Sequence, residues 1–315
     1  MLAVAGATGQ LGSRVASRLA RMGVTQRLIV RDSARAQVLS GAEVVEASCY
    51  GDTGAMLRAL TGVRTLFLIS ARDRFGVNHA HARNHQVPPP YDRLQQHRAA
   101  VDAAAVSGVQ HIVYLSMVHA APDATFILAR DHFYTEQHIR ASGISFTFLR
   151  TSLYADNVPQ CVSADDVIRA PAGVGRAAWV SRDDIADVAV EVLTGTGHAG
   201  RTYDVTGPEA LSMAETAGIL SAAVKRKIVY KAQTPHEART TRTTSRLEKF
   251  EAERRIWTGH GLDDYEVDVF VTHFLQIAAG DLAEVSDTVP KLAGHPAQSL
   301  EEYLRQHPES YRHLL

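Results

Sequence analysis

The chain has 315 residues and a formal net charge of −1, with basic and acidic residues interspersed. It is long enough for one large domain or a domain with a lobe, and it has no charge patch suited to nucleic acid. Its two cysteines, Cys49 and Cys161, cannot build a disulfide framework, which points to a reducing cytoplasmic setting. No apolar run approaches membrane-spanning length, and a first strand starting at Leu2 leaves no room for a signal peptide.

Residues 2–5 are apolar and too few for a helix. Three glycines follow at the spacing Gly6-x-x-Gly9-x-x-Gly12, and Leu11, Val15, Leu19 and Met22 then recur at helical steps until Gly23. Strand, glycine turn and helix together form the context in which such glycines read as a dinucleotide loop rather than an ordinary tight turn. Gly6 permits the turn, Gly9 lets the backbone approach a pyrophosphate, and Gly12 lets helix and strand pack closely. Thr8, Gln10 and Leu11 complete the expected loop, whose N–H groups at the helix start would take the phosphates.

A second strand is expected over residues 26–30, ending in Arg31-Asp32-Ser33, with Ser33 capping a short helix over 34–39. Residues 43–47 read as a third strand, followed by Asp52 and a helix reaching Leu60 that Thr53 caps. Residues 65–69 are nearly all apolar, as in a strand buried on both faces. Residues 72–90 read as a long loop beside a binding site, holding His79, His81, His85 and the run Pro88-Pro89-Pro90. Helices over 91–107 and 128–141 flank a fifth strand at 111–115, closed by Ser116, and a sixth strand covers 145–149. Strands alternating with helices predict an α/β, Rossmann-like, doubly wound parallel sheet. Ligands bind such sheets at the carboxyl ends of the strands, which nominates Thr8, Arg31, Asp52, Ser70, Ser116 and Arg150.

Beyond Thr151 the rhythm changes. A strand at 178–180, a helix at 183–193, a strand at 202–205 and an amphipathic helix at 263–279 are expected. Ser212-x-x-Glu215 and Ser299-x-x-Glu302 are capping boxes, and the Thr/Arg-rich stretch 234–245 reads as a mobile loop. The predicted division is a dinucleotide-binding domain over 1–150, to which 176–206 returns, and a smaller C-terminal α+β substrate lobe formed by 151–175 and 207–315.

Arg31, at the end of the second strand, suits the 2′-phosphate of NADP, provided that the carboxylate of Asp32 turns into its own turn; otherwise Arg31 is a solvated surface arginine and NAD is possible. Asp52 lies near the adenine edge or acts as a helix N-cap. The spacing His79-x-His81-x3-His85 can bind zinc, but no cysteine is near and hydride chemistry needs no metal, so none is expected. Ser116 lacks the elbow of a nucleophilic serine and is expected to hydrogen-bond cofactor or substrate. The arginines over 239–246 lack the interleaved aromatics of a nucleic-acid surface.

The segments Gly6-Ala7-Thr8-Gly9-Gln10-Leu11-Gly12, Val30-Arg31-Asp32, His111-Ile112-Val113-Tyr114-Leu115-Ser116, Ser142-Gly143-Ile144 through Arg150, Trp179-Val180-Ser181-Arg182-Asp183-Asp184-Ile185-Ala186 and Leu292-Ala293-Gly294-His295-Pro296 resemble the NmrA-like branch of the atypical short-chain dehydrogenase/reductases. The resemblance runs over nearly the whole chain and is closest to the quinone oxidoreductase-like and triphenylmethane reductase-like members. It implies a Rossmann-like domain with a small substrate lobe. The family also holds cofactor-sensing regulators that reduce nothing.

Active short-chain dehydrogenases generally carry Tyr-x-x-x-Lys on the helix after the fifth strand, and this chain has no such spacing. Leu128 falls where the tyrosine would be and His132 where the lysine would be, with Glu136 one turn further on the same face. His132 is therefore a candidate catalytic residue, touching the nicotinamide ribose or acting as a weak acid, or else it makes a structural bond. By the same resemblance, Tyr154 and Asn157 match the segment beside the nicotinamide and are candidates for positioning the substrate. Without the tyrosine, the chemistry suits an acceptor that is already electrophilic. The expected activity is NADP(H)-dependent hydride transfer to a quinone or similar conjugated small molecule by a monomer or homodimer. The alternatives are a non-catalytic NADP-binding regulator, or a reductase or isomerase of a small-molecule pathway.

Overall fold

The computed structural model describes residues 1–71, 93–252 and 264–315. The expected loop at 72–90, with its three histidines, lies outside the described residues, as does the expected start of the following helix at Tyr91. Among the described residues, no group of His, Cys, Asp and Glu could hold a metal ion, and no helix is long and apolar enough to cross a membrane.

The elements in chain order begin β1 (Leu2–Ala5), α1 (Gln10–Arg21), β2 (Gln26–Val30), β3 (Ala42–Glu46), α2 (Thr53–Leu60), β4 (Thr65–Ile69), α3 (Arg93–Val106), β5 (His111–Met117), α4 (Ile127–Ala141) and β6 (Ser145–Thr151). They continue with β7 (Val167–Ala170), β8 (Arg176–Ala177), α5 (Arg182–Thr194), β9 (Arg201–Val205), β10 (Leu211–Ser212), α6 (Met213–Val224) and β11 (Val229–Ala232). The last helices are α7 (Pro235–Ala252), α8 (Asp264–Ala279), α9 (Thr288–Ala293) and α10 (Leu300–Gln306). Packing divides the chain into two compact units: Met1–Met117 with Asp131–Arg150 and Ile185–Tyr203, and Val118–Arg130 with Thr151–Asp184 and Asp204–Leu315. Relative to the expected division, the return to the first unit begins at Ile185, and Val118–Arg130 groups with the second unit.

The first unit carries a seven-stranded sheet in the order β3-β2-β1-β4-β5-β6-β9. The pairings from β3 through β5 are parallel, with Val4 opposite both Leu28 and Phe67. This is the predicted Rossmann-like sheet. β1 is buried along its whole length and β4 at its three central residues, as strands covered by helices on both faces must be. Leu66, Leu68, Ile112, Tyr114, Phe148 and Met56 lie in one continuous apolar core. Strand order reverses between β1 and β4, so the crevice for a ligand opens outside the carboxyl ends of these two strands.

The second unit holds a parallel β7–β11 pair and a short antiparallel β8–β10 pair. Both expected capping boxes are formed, Ser212 with Glu215 at α6 and Ser299 with Glu302 at α10. Four local expectations are corrected. The stretch 234–245 is helical: the Thr234 hydroxyl accepts from the Glu237 N–H at 3.2 Å, and the Glu237 carboxylate accepts from the Thr234 N–H at 2.7 Å. Pro235 opens this helix, and Ala238 packs against Val267 and Val271 of α8, so capping and burial outweigh the weak propensity of its threonines. No helix covers 34–39; a 3-10 turn spans Ser33–Arg35, and Asp32, not Ser33, caps it. Asp52, not Thr53, caps α2. Finally, 178–180 forms no strand, only an isolated bridge from Val180 to Tyr154.

Candidate functional site

The glycine loop is built from contacts that admit no side chain at one position and little at another. Gly6 adopts φ +75°, where an L side chain is strained; its N–H donates to the Ile29 carbonyl at 3.0 Å and its carbonyl accepts from the Gly9 N–H at 2.9 Å. A Cβ on Gly12 would fall 2.3 Å from the Gly6 carbonyl oxygen, so α1 can rest against the turn only because Gly12 has none. A Cβ on Gly9 would lie 3.2 Å from the same oxygen. Gly9 is the N-cap of α1, with no side-chain cap and no acidic residue in the first turn. A helix start with its N–H groups clear of carboxylates, fronted by backbone without Cβ, fits a dinucleotide pyrophosphate. Leu11 is buried, so only its backbone is available to a ligand, whereas Gln10 is exposed and Thr8 half-buried.

Tyr50, which the sequence reading passed over, bridges this loop to β4. Its hydroxyl donates to the Ile69 carbonyl at 2.8 Å and lies 3.5 Å from the place a Cβ on Gly6 would take. Burial raises its pKa, opposed by the nearby charge of Arg31. Only its place just after the third strand, in Cys49-Tyr50-Gly51-Asp52, could have signalled it.

At the ribose end, Arg31 is exposed beyond β2. Asp32 turns back on its own turn, its Oδ1 accepting from the Ala34 N–H at 3.0 Å, so its carboxylate takes the orientation that the NADP expectation for Arg31 required. The register sets Val30 opposite Glu46, whose Oε1 accepts from the Ser33 N–H at 2.6 Å; the Ser33 hydroxyl and N–H lower its pKa. Asp52 accepts from the Ala55 N–H at 3.0 Å and from the Ser48 hydroxyl at 3.3 Å. Its carboxylate is thus engaged in capping α2, the structural one of its two expected roles.

Ser116 and Arg150, expected just past strand ends, lie inside longer strands and meet on Glu136 of α4. Ser116 Oγ donates to Glu136 Oε1 at 2.6 Å, while Arg150 forks onto both oxygens at 2.9 and 2.6 Å. The Glu136 side chain is only 1% exposed and that of Arg150 25%, so a buried carboxylate anchors the Ser116 hydroxyl and the Arg150 guanidinium.

His132 sits one turn before, and its protons can be assigned by elimination. An arginine can only donate, so the 2.7 Å contact from Arg93 makes His132 Nε2 an acceptor. Nδ1 then carries the proton and donates to the Tyr114 hydroxyl at 2.8 Å. The Tyr114 hydroxyl also lies 3.5 Å from His97 Nδ1, and the Thr135 hydroxyl beside that ring donates to the Asp131 carbonyl at 2.7 Å. Burial, together with Arg93, His97 and Arg150, holds the His132 pKa well below its ordinary value. The imidazole is neutral and both its nitrogens are committed, which contradicts a role as weak acid.

Tyr154 and Asn157 belong to the second unit. The guanidinium of Arg182 lies 4.3 Å from the centre of the Tyr154 ring and is ion-paired with Asp156. Asn157 is exposed, and its carbonyl accepts from the Cys161 thiol at 3.5 Å.

A profile of the NmrA-like family matches residues 1–264. An NAD(P)H azoreductase of Xenophilus azovorans is 31% identical over 315 residues, 99% of each chain. The NADPH-dependent quinone oxidoreductase of Escherichia coli, solved in complex with NADPH, superposes with a TM-score of 0.79 at 30% identity, over 97% of this chain and 99% of that one. The triphenylmethane reductase of Citrobacter sp., complexed with NADP(H), superposes with a TM-score of 0.75 at 27% identity over the same shares. With its glycine loop, its strand order and a family match over most of its length, the chain belongs to the NmrA-like family.

Proposed function

We propose that this protein is an NADP(H)-dependent reductase that delivers hydride to a quinone or a similarly conjugated, electron-poor small molecule. The observation that carries the reading is the proton accounting at His132. Where a short-chain dehydrogenase would carry tyrosine and lysine stand Leu128 and a neutral histidine with both ring nitrogens engaged. Hydride delivered to a simple ketone leaves a strongly basic alkoxide that needs a nearby acid. Hydride delivered to a quinone leaves a stabilised anion that water can protonate. The acceptors in the relatives' names, azo compounds, quinones and triphenylmethane dyes, are all conjugated.

The reduced nicotinamide, when bound, supplies the hydride. The N–H groups at the start of α1 would hold the pyrophosphate, with Gly9 granting the close approach, and Arg31 would hold the 2′-phosphate. Ser70, half-buried at the end of β4, borders the same crevice. Tyr154 and Asn157 are the candidates for orienting the acceptor.

The test is consumption of NADPH by the purified protein against quinones, an azo dye, a triphenylmethane dye and simple ketones. Turnover is expected with conjugated acceptors only. Turnover of simple ketones at comparable rates would overturn the proton argument, and no NADPH binding at all would overturn the reading as a whole.

A further inference from the structure

Ala71 is the last described residue after β4, and both of its backbone polar groups are held by side chains of α3. Its N–H donates to His97 Nε2 at 2.8 Å, and its carbonyl accepts from Arg93 Nε at 3.1 Å. A loop peptide held at both ends by fully or nearly buried charged and aromatic side chains is unusual, because loops ordinarily satisfy their backbone with water. His97 is fully buried and Arg93 is 5% exposed.

Further hydrogen bonds fix the two clamping side chains in turn. Because His97 Nε2 accepts from a peptide N–H, Nδ1 carries the ring proton and donates to Thr135 Oγ1 at 2.8 Å. Arg93 also contacts Asp131 at 3.1 Å and His132 at 2.7 Å. Thr135, Asp131 and His132 all belong to α4, so α3 and α4 are joined through polar groups whose common terminus is the Ala71 peptide. The Ala71 N–H facing His97 Nε2 and the Arg93 guanidinium facing His132 Nε2 fix the proton of each neutral ring on Nδ1.

What this peptide borders is also on the molecule. Ile69, two residues earlier, has its Cβ 3.6 Å from the place a Cβ on Gly6 would take, and its carbonyl receives the Tyr50 hydroxyl. The end of β4 at Ile69 therefore stands next to the glycine turn, and Ser70 and Ala71 follow it directly. We propose that His97 and Arg93 are positioning residues: by fixing the Ala71 peptide they hold the Ser70 segment in the place where it lines the dinucleotide crevice. This proposal rests on the reductase reading above. It also gives His132 a role, that of orienting Arg93 from the far side.

The test compares His97→Phe, which keeps an aromatic ring but offers no acceptor, with His97→Gln, whose amide oxygen can reach the Ala71 N–H. His97→Phe is expected to weaken NADPH binding about tenfold, the loss of one buried hydrogen bond, and to raise KM for NADPH while kcat at saturation changes little. His97→Gln should recover most of the affinity. Nitrogen NMR of the wild type should show His97 protonated at Nδ1 only. Should His97→Phe fail to fold, Thr135→Val, which removes the anchor of His97 at nearly constant volume, serves in its place with the same expected rise in KM. Wild-type affinity in the variants, a glutamine no better than phenylalanine, or an Nε2-protonated His97 would each overturn the proposal while the reductase reading stands. A wild-type protein that binds no NADPH would overturn both.

Discussion

Replacing Gly12 by alanine probes how the loop is built. The new Cβ would stand 2.3 Å from the Gly6 carbonyl oxygen, 2.9 Å from its carbon and 3.0 Å from Ala7 Cα, against an ordinary contact of 3.4–4 Å. All three neighbours are backbone, so no side chain can swing aside and α1 must lift from the turn by about 1 Å. Overpacking of this kind costs roughly 1–3 kcal/mol, and the upper end applies because the clash is with main chain. Alanine in place of glycine within a helix returns about 1 kcal/mol, leaving a net loss of about 2 kcal/mol. For a chain of 315 residues each kcal/mol lowers Tm by about 1.5–2 °C. Thermal unfolding followed by circular dichroism should therefore show a drop of several degrees, and calorimetric titration should show weakened NADPH binding as the start of α1 moves. Gly9→Ala is the contrast: with its Cβ at 3.2 Å from the same oxygen, it should leave Tm nearly unchanged but still weaken NADPH. A Gly12→Ala protein with the Tm and NADPH affinity of the wild type would refute the account of the loop.

Glu136→Gln removes the buried charge that faces the fork of the quarter-exposed Arg150, and urea denaturation should show a loss of about 1.5–3 kcal/mol; a midpoint within error of the wild type would mean that the pair does not hold α4 to β5 and β6. His97 and His132 have pKa values pushed well below 6.5 by burial and by Arg93, so the unfolded chain takes up protons that the native state refuses. His132 also faces Tyr114 and Arg150, and His97 faces Tyr114 and Thr135, with Asp131 and Glu136 on the same helix as His132. Stability should thus be flat above about pH 6.5 and fall below it by about 1.4 kcal/mol per pH unit for each histidine; stability that rises on acidification would contradict the assigned protonation states. Arg31→Ala should weaken NADPH by roughly ten- to a hundredfold and NADH little, and equal loss for both would remove Arg31 from the 2′-phosphate. Glu46→Gln, which removes a carboxylate at the end of β3 opposite Val30, the residue before Arg31, should shift the preference toward NADPH by a few-fold, as a solvent-screened charge does; a shift toward NADH would show that Glu46 helps rather than opposes the phosphate.

The parts of this protein that are legible in its sequence are those set by neighbours along the chain. Gly6, Gly9 and Gly12 declare a turn and a close approach because only glycine tolerates both. The apolar runs of β1 and β4 declare strands covered on both faces, and Ser212 and Ser299 declare helix starts because their capping partners lie three residues away. Local competition already defeats some of this reading: Asp32 and Ser33 are both good caps, as are Asp52 and Thr53, and nothing short of the backbone path says which side chain turns inward. The 234–245 stretch reads as a loop by composition, yet it is a helix because Ala238 finds Val267 and Val271 across a helix pair that no local window contains. The site itself is mostly tertiary. Ser116, Glu136 and Arg150 come from three different elements, as do Ala71, His97 and Thr135, and they meet only once strand order and register have been set. His132 looks like an acid or a ribose contact in the sequence because its type and position allow either. Only the arrival of Arg93 at one ring nitrogen and Tyr114 at the other decides that its proton stays where it is, since a neutral imidazole has one nitrogen that donates and one that accepts.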